Sequence, residues 1–313
     1  MKLRSLVLIA AMAIIFLCSC SSGYGPKTAH TNESTKSGDT IMEDTTAAEE
    51  TYVPPKSFKI LGIGNSFTID TFEFLYNISK NYGAENINIA CAAIGGASLA
   101  THIQNLRSDS PNYDYYFFNG TTVATSGHTL KECIKDDNWD MFVLINESGF
   151  VGVDIQYSVL QELIDYVKNN RTNPQSEISW LFSWAYQSDS THQYFKYYNN
   201  DQTKMYNAAV NCTRKYIETN PDISVIVPLG TVFQNMRTSF IGDNLTRDGY
   251  HADLTYGRYS LALAFYCSVT GADPHECSLK FKEYDTHFDA IAEAVANAIS
   301  NPYNVTRSTY NEN

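Results

Sequence analysis

Basic residues are scarce in this chain. Its 22 lysines and arginines face 34 aspartates and glutamates, a formal charge of −12 over 313 residues. A surface of that sign repels phosphate backbones, which excludes nucleic acid as a partner class. The sequence also contains no Cys-x-x-Cys and no His-x-x-x-His, spacings that zinc or dithiol chemistry would use, so no metal or organic cofactor is expected. No internal repeat is present. An apolar run from Leu6 to Leu17 is about a dozen residues long, short of the ~20 that a spanning helix needs.

That run has another use. Lys2 and Arg4 precede it and Leu17-Cys18-Ser19-Cys20 ends it, the layout of a signal peptide with a bacterial lipobox over residues 1–20. Cys20 is the expected lipidation site, because Cys18 would put Leu17 at the position that wants a small residue. An ordinary cleaved signal peptide is the simpler alternative. Ser21 and Ser22 lack the aspartate of an inner-membrane retention signal, so the expected location is lipid-anchored at the outer membrane of a Gram-negative bacterium. Acyl chains stabilise such anchoring by about 0.8 kcal/mol per buried CH₂. Residues 21–56, rich in Ser, Thr, Gly and Glu, read as a flexible linker. Cys91, Cys133, Cys212, Cys267 and Cys277 remain beyond it, an odd number, so at least one stays unpaired within the chain.

From residue 57 to 313 the pattern is that of one domain. Short apolar runs at Lys59–Ile63, Ile87–Ala92, Met141–Ile145, Ile178–Phe182 and Ser224–Val227 suit strands buried on both faces. Helical spacings cover Thr71–Tyr82, Ile155–Asn169, Thr203–Thr219, Tyr256–Thr270 (stopped by Gly271) and Phe288–Ile299. Alternating strands and helices predict an α/β fold, a three-layer α/β/α sandwich on a five-stranded parallel sheet. Asp109–Gly127 reads as a long connection or insertion. Ligands of such sheets bind beyond the carboxyl ends of the strands, so the polar residues there carry most information.

After the first strand comes "GIGNSFT" with Ser66; after the second, "AAIGGASL" with Gly96; after the third, "VLINESG" with Asn146, Glu147 and Ser148. Far downstream lies "NLTRDGYHADLTYGRY", with Asp248 three residues before His251. A serine hydroxyl becomes nucleophilic when a base takes its proton, and imidazole serves near neutral pH. The imidazole needs a carboxylate on its other nitrogen to fix its tautomer, and Asp248 can fold back through Gly249 to supply it. Backbone amides of Ser66 and Gly96, with an amide side chain such as Asn146, can stabilise an oxyanion at about 2.7–4 kcal/mol per donor.

This order of serine, glycine, amide and Asp-x-x-His resembles the SGNH (GDSL-type) hydrolases over Lys59 to Gly271. "GNSFT", "GGASL", "RDGYH" and "YGRY…ALAFY…TG" look like a branch of bacterial secreted proteins and lipoproteins. The resemblance implies the SGNH, flavodoxin-like fold. It also implies Ser66 as nucleophile, His251 as base, Asp248 as its orienter, and Ser66, Gly96 and Asn146 as oxyanion donors. Two departures stand out. Asn65 replaces the aspartate of the first block, and "INES" lacks the Gly-x-Asn-Asp of the third, where Glu147 or Ser148 could hold the place of Asn146.

Each residue also has a plainer role. Ser66 could cap a helix starting near Ile69, Gly96 and Asp248 could serve turns, and His102, His128, His192, His275 and His287 read as surface or loop residues. Trp184 and Tyr186 could form a sugar-binding wall or pack internally. A Glu147–Asp248 carboxylate pair for glycoside cleavage has nothing in the sequence to bring it together. Four loop signals in one hydrolase order outweigh these separate readings. The expected activity is ester hydrolysis through an acyl-enzyme, on an O-acetyl or similar acyl group of a glycan. The rivals are lipase or thioesterase action and a non-catalytic glycan-binding lipoprotein. For the anchor, Cys20→Ala should move the protein out of the membrane fraction, as followed by fractionation and immunoblotting; unchanged retention would refute lipidation there.

Overall fold

In a computed structural model, residues 52–281 and 286–311 are described; the signal-peptide, Cys20 and most of the linker assignments lie outside them. Seven strands form one sheet in the order β4-β3-β2-β1-β5-β6-β7. They are β1 (Phe58–Gly64), β2 (Ile87–Ala93), β3 (Tyr113–Phe118), β4 (Thr122–His128), β5 (Met141–Leu144), β6 (Glu177–Leu181) and β7 (Val225–Val227). The five expected strands are β1, β2, β5, β6 and β7, and the pairings among them are parallel. Every residue of β5 is buried, which explains why it is uninterrupted Met-Phe-Val-Leu.

The sheet has seven strands rather than five because Asp109–Gly127 is not an irregular connection. It forms the antiparallel hairpin β3–β4, added beside β2. In β3, Tyr113, Tyr115 and Phe118 face inward, whereas β4 is a Thr/Ser-rich edge exposed along most of its length, so its composition resembles a loop. Asn119-Gly120, with Gly120 at φ 87°, is the local signal of this hairpin.

Helices cover both faces. Between β1 and β2 lie α1 (Ser66–Phe72) and α2 (Leu75–Asn81), two short helices where one had been expected. Next come α3 (Leu99–Ser108), α4 (Leu130–Lys135), α5 (Leu160–Asn170), α6 (Gln202–Cys212), α7 (Leu229–Arg237), α8 (Tyr256–Thr270) and α9 (Phe288–Ser300). Helices α3 and α4 lack an obvious apolar period but carry the capping pairs Ser98–Thr101 and Thr129–Glu132. Contacts among α3, α4 and α5 build one layer; α1, α2, α7, α8 and α9 build the other. Helix α8, buried from Tyr259 through Cys267, is the centre of that second layer. It ends at Gly271, whose φ of 75° and N–H bond to Cys267 O close it. The chain leaves β1 for β2 on one side and later enters β5 on the other, so a crevice opens at their carboxyl ends.

Candidate active site

The crevice is built from the first tight turn outward. A Cβ at Gly64 would lie 2.2 Å from Thr68 Oγ1 and 2.6 Å from Ile145 Cγ2; one at Gly62 would lie 2.5 Å from Thr68 Cγ2. Absent side chains thus let α1 fold directly over the end of β1. Asn65 caps that helix: its Oδ1 accepts from Phe67 N at 3.0 Å, and its amide nitrogen donates to Ala97 O (3.0 Å) and Asn146 O (3.1 Å). One side chain therefore ties the ends of β1, β2 and β5 together. The cap belongs to Asn65 and not to Ser66, which leaves the Ser66 hydroxyl available.

That hydroxyl lies 2.8 Å from His251 Nε2, and His251 Nδ1 lies 2.7 Å from Asp248 Oδ2. The other Asp248 oxygen accepts the backbone N–H of His251 (2.8 Å) and of Tyr250 (3.3 Å). Burial pushes the Asp248 carboxyl up, but the hydrogen bonds and charge of His251 outweigh it and hold its pKa below the ordinary carboxylate value. Asp248 is thereby kept ionised, as an orienting group for imidazole must be.

The loop carrying these two residues is pinned to α1 by Asp70, four residues after Ser66. Its side chain is 1 % exposed and meets Arg247 (3.0 Å) and Arg258 (2.8 Å). It also accepts Ala252 N at 3.0 Å, while Arg247 donates to Ala252 O at 2.6 Å. Phe67, one residue after the serine, stacks on Trp184 at 4.0 Å, and Trp184 Nε1 donates to Tyr250 O at 2.8 Å. Such a stacked pair adds about 0.5–1.5 kcal/mol beyond its area. Both contacts link the serine's helix to the histidine's loop.

Between them lies a cavity of about 150 Å³ lined by Asn65, Ser66, Gly96, Glu147, Ser148, His192, Tyr250 and His251. Gly96 has φ 63° and open space where a Cβ would stand, the left-handed conformation that glycine tolerates. The amides of Ser66 and Gly96 make no hydrogen bond among the described residues. A larger hollow of about 440 Å³ lies around Phe58, Asp140 and Glu177 near the opposite ends of the strands and holds none of these groups.

Three expectations change. Asn146 is fully buried, its Oδ1 accepts Glu147 N and its Nδ2 reaches Phe150 O at 3.5 Å; it supports the β5 turn and does not line the cavity. Glu147 and Ser148 do. Trp184 and Tyr186 are also fully buried and form no wall: Tyr186 holds Ser148 Oγ at 2.7 Å from behind. Glu147 and Asp248 do not pair, in keeping with the sequence reading. Asp248 is committed to His251, and Glu147 accepts from Ser148 Oγ and Gly149 N. Burial raises the Glu147 pKa despite those bonds. Of the histidines read as surface or loop residues, His102 is instead fully buried in α3, and His192 lies in a loop that lines the cavity, its ring 4.5 Å from that of Tyr250. Burial and the neighbouring His251 lower the His192 pKa.

Residues 59–299 match the model of a domain of unknown function, DUF4886. A DUF4886 family protein from Bacteroides uniformis, solved by crystallography, is 34 % identical, with 82 % of this chain and 100 % of that one covered at a TM-score of 0.78. This chain belongs to the DUF4886 family. Less similar structures share only 18 % and 12 % identity. One is a candidate SGNH hydrolase from Slackia heliotrinireducens (TM-score 0.42, covering 69 % of this chain and 100 % of that one). Another is a mutant of the acetyl-xylooligosaccharide esterase Axe2 from Geobacillus (TM-score 0.41, 69 % and 96 %). No curated protein matches.

Asp70 generates a test. Asp70→Asn leaves two guanidinium groups without their shared anion; breaking a buried pair costs about 3–5 kcal/mol, and Arg247, 30 % exposed, argues for about 3. Urea denaturation should show that loss. Full stability in the variant would mean that the ion cluster contributes nothing.

Proposed function

We propose that this DUF4886 protein is a serine ester hydrolase of the SGNH type. One observation carries the proposal: Ser66, His251 and Asp248 form a continuous relay at 2.8 and 2.7 Å beside two unengaged backbone amides. In the reaction, Ser66 Oγ attacks the ester carbonyl as His251 Nε2 takes its proton. The Ser66 and Gly96 amides receive the oxyanion, and His251 returns the proton to the leaving alcohol. Water, deprotonated by His251, then releases the acid from Ser66.

The cavity favours a small acyl group. At about 150 Å³ it is lined by polar groups, glycine and aromatic rings, with no aliphatic side chain among them, so a long acyl chain would find little apolar surface. We take an O-acetyl group on a glycan as the substrate class, at the outer membrane of a Gram-negative bacterium, to which Cys20 attaches the chain. A binding module that never turns over would gain nothing from the aligned proton relay.

Hydrolysis of p-nitrophenyl acetate by residues 52–313 should fall to below about one thousandth of the parent rate in Ser66→Ala, with the fold retained by circular dichroism. p-Nitrophenyl palmitate should be a poorer substrate than the acetate. Activity of Ser66→Ala equal to the parent would eliminate this nucleophile, and a preference for palmitate would favour the lipase reading.

A further inference from the structure

A belt of rings runs outward from the cavity. Tyr250 lies 4.2 Å from His251, His192 lies 4.5 Å from Tyr250, and Tyr194 lies 5.4 Å from His192. Tyr197 then stacks on Tyr194 at 5.7 Å and 15°, and Phe150 packs against both at 4.9 and 6.1 Å. Tyr197 is 54 % exposed, and Phe150, Tyr194, His192 and Tyr250 are half-buried. The hydroxyls of Tyr194, Tyr197 and Tyr250 make no hydrogen bond among the described residues.

The belt is fixed from below. A Cβ at Gly149 would come 2.4 Å from Tyr194 Cβ, so the Glu147–Phe150 turn and the Tyr194 backbone meet with no room to spare. Tyr198, buried beneath, donates to Gly149 O at 2.9 Å and accepts Gly152 N at 3.0 Å. Phe195 is fully buried. A contiguous run of half-buried rings ending in an exposed one, on so rigid a base, is unusual unless something covers it.

We infer that Phe150, Tyr194 and Tyr197 form a subsite for the pyranose rings of a glycan whose acylated unit occupies the cavity. The substrate class rests on ester hydrolysis at Ser66, but the platform is argued from its own chemistry. Its rings offer flat faces for the C–H face of a sugar and carry free hydroxyls at their edges. Among the neighbouring exposed residues are Thr191, Gln193, Lys196, Asn199 and Asn200, with Lys196 Nζ 6.0 Å from the Tyr197 ring, and these can bond sugar hydroxyls; a lipid-facing surface would show aliphatic side chains there instead. His192 and Tyr250 both line the cavity and begin the belt, so a sugar whose acyl group sits in the cavity can reach the platform along them.

The test separates binding from turnover. Ser66→Ala protein is titrated calorimetrically with xylohexaose, mannohexaose and chitohexaose. At least one should bind, and adding Tyr194→Ala with Tyr197→Ala should raise its Kd about tenfold or more. Replacing both tyrosines with phenylalanine, which keeps the stacking faces, should recover most of the loss, and circular dichroism should show all variants folded. In the Ser66 parent, the alanine pair should raise KM for an acetylated form of the bound oligosaccharide more than it changes kcat. Oligosaccharide binding that depends on the tyrosines, in a protein that cleaves no ester, would uphold the subsite while removing the hydrolase assignment. Failure of all three sugars to bind, unaltered binding in the alanine pair, or binding to phosphatidylcholine vesicles instead would overturn the subsite.

Discussion

A buried carboxylate holds the two halves of this site in register. Ser66 and His251 are separated by most of the folded chain, yet their side chains meet at 2.8 Å. Asp70, one helical turn beyond the serine, gathers Arg247, Arg258 and the amide of Ala252 around one carboxylate. Arg247 and Ala252 lie on either side of the Asp248–His251 segment, so the anion fixes both ends of the loop that presents the proposed base. An ion cluster of this kind offers little net stability over an apolar replacement; its value here is position, since about 1 Å of misplacement can cost 10²-fold in rate.

Asn65 performs the complementary task at the sheet. The same side chain that caps α1 also bonds the chain after β2 and after β5, which brings the Ser66 amide, the Gly96 amide and Glu147 around one small volume. Gly62 and Gly64 make this possible by leaving α1 space against the strand. The serine is therefore exposed by a helix that another residue caps. Its hydroxyl is free because Asn65, not Ser66, satisfies the first turn.

Much of this was legible in the sequence, and the parts that were not share a physical cause. The five parallel strands announce themselves as continuous apolar runs because both their faces are buried. The hairpin of β3 and β4 does not, since an edge strand facing water needs no apolar residues. Ser66, Gly96, Asp248 and His251 sit in short motifs whose spacing is itself the chemistry. Asp70 and His192 meet the site through partners far along the chain, Arg247 and Arg258 for one and Tyr250 for the other, and no local pattern marks such partners. The third block shows the same limit. Asn146 is the residue whose chemistry suits an oxyanion donor, but the turn after β5 directs it inward and sets Glu147 and Ser148 at the cavity. Trp184 and Tyr186 were reasonable candidates for a sugar wall by composition, and they pack one layer behind the rings that are exposed.

Two serines, Ser66 and Ser148, line the cavity, but only Ser66 lies against the imidazole; Ser148 is held between Glu147 and Tyr186. Fluorophosphonate labelling followed by peptide mass spectrometry distinguishes them directly. The geometry predicts a single phosphonyl adduct on Ser66, abolished in His251→Ala and strongly slowed in Asp70→Asn. An adduct on Ser148, or labelling of Ser66 that is indifferent to His251, would contradict the account.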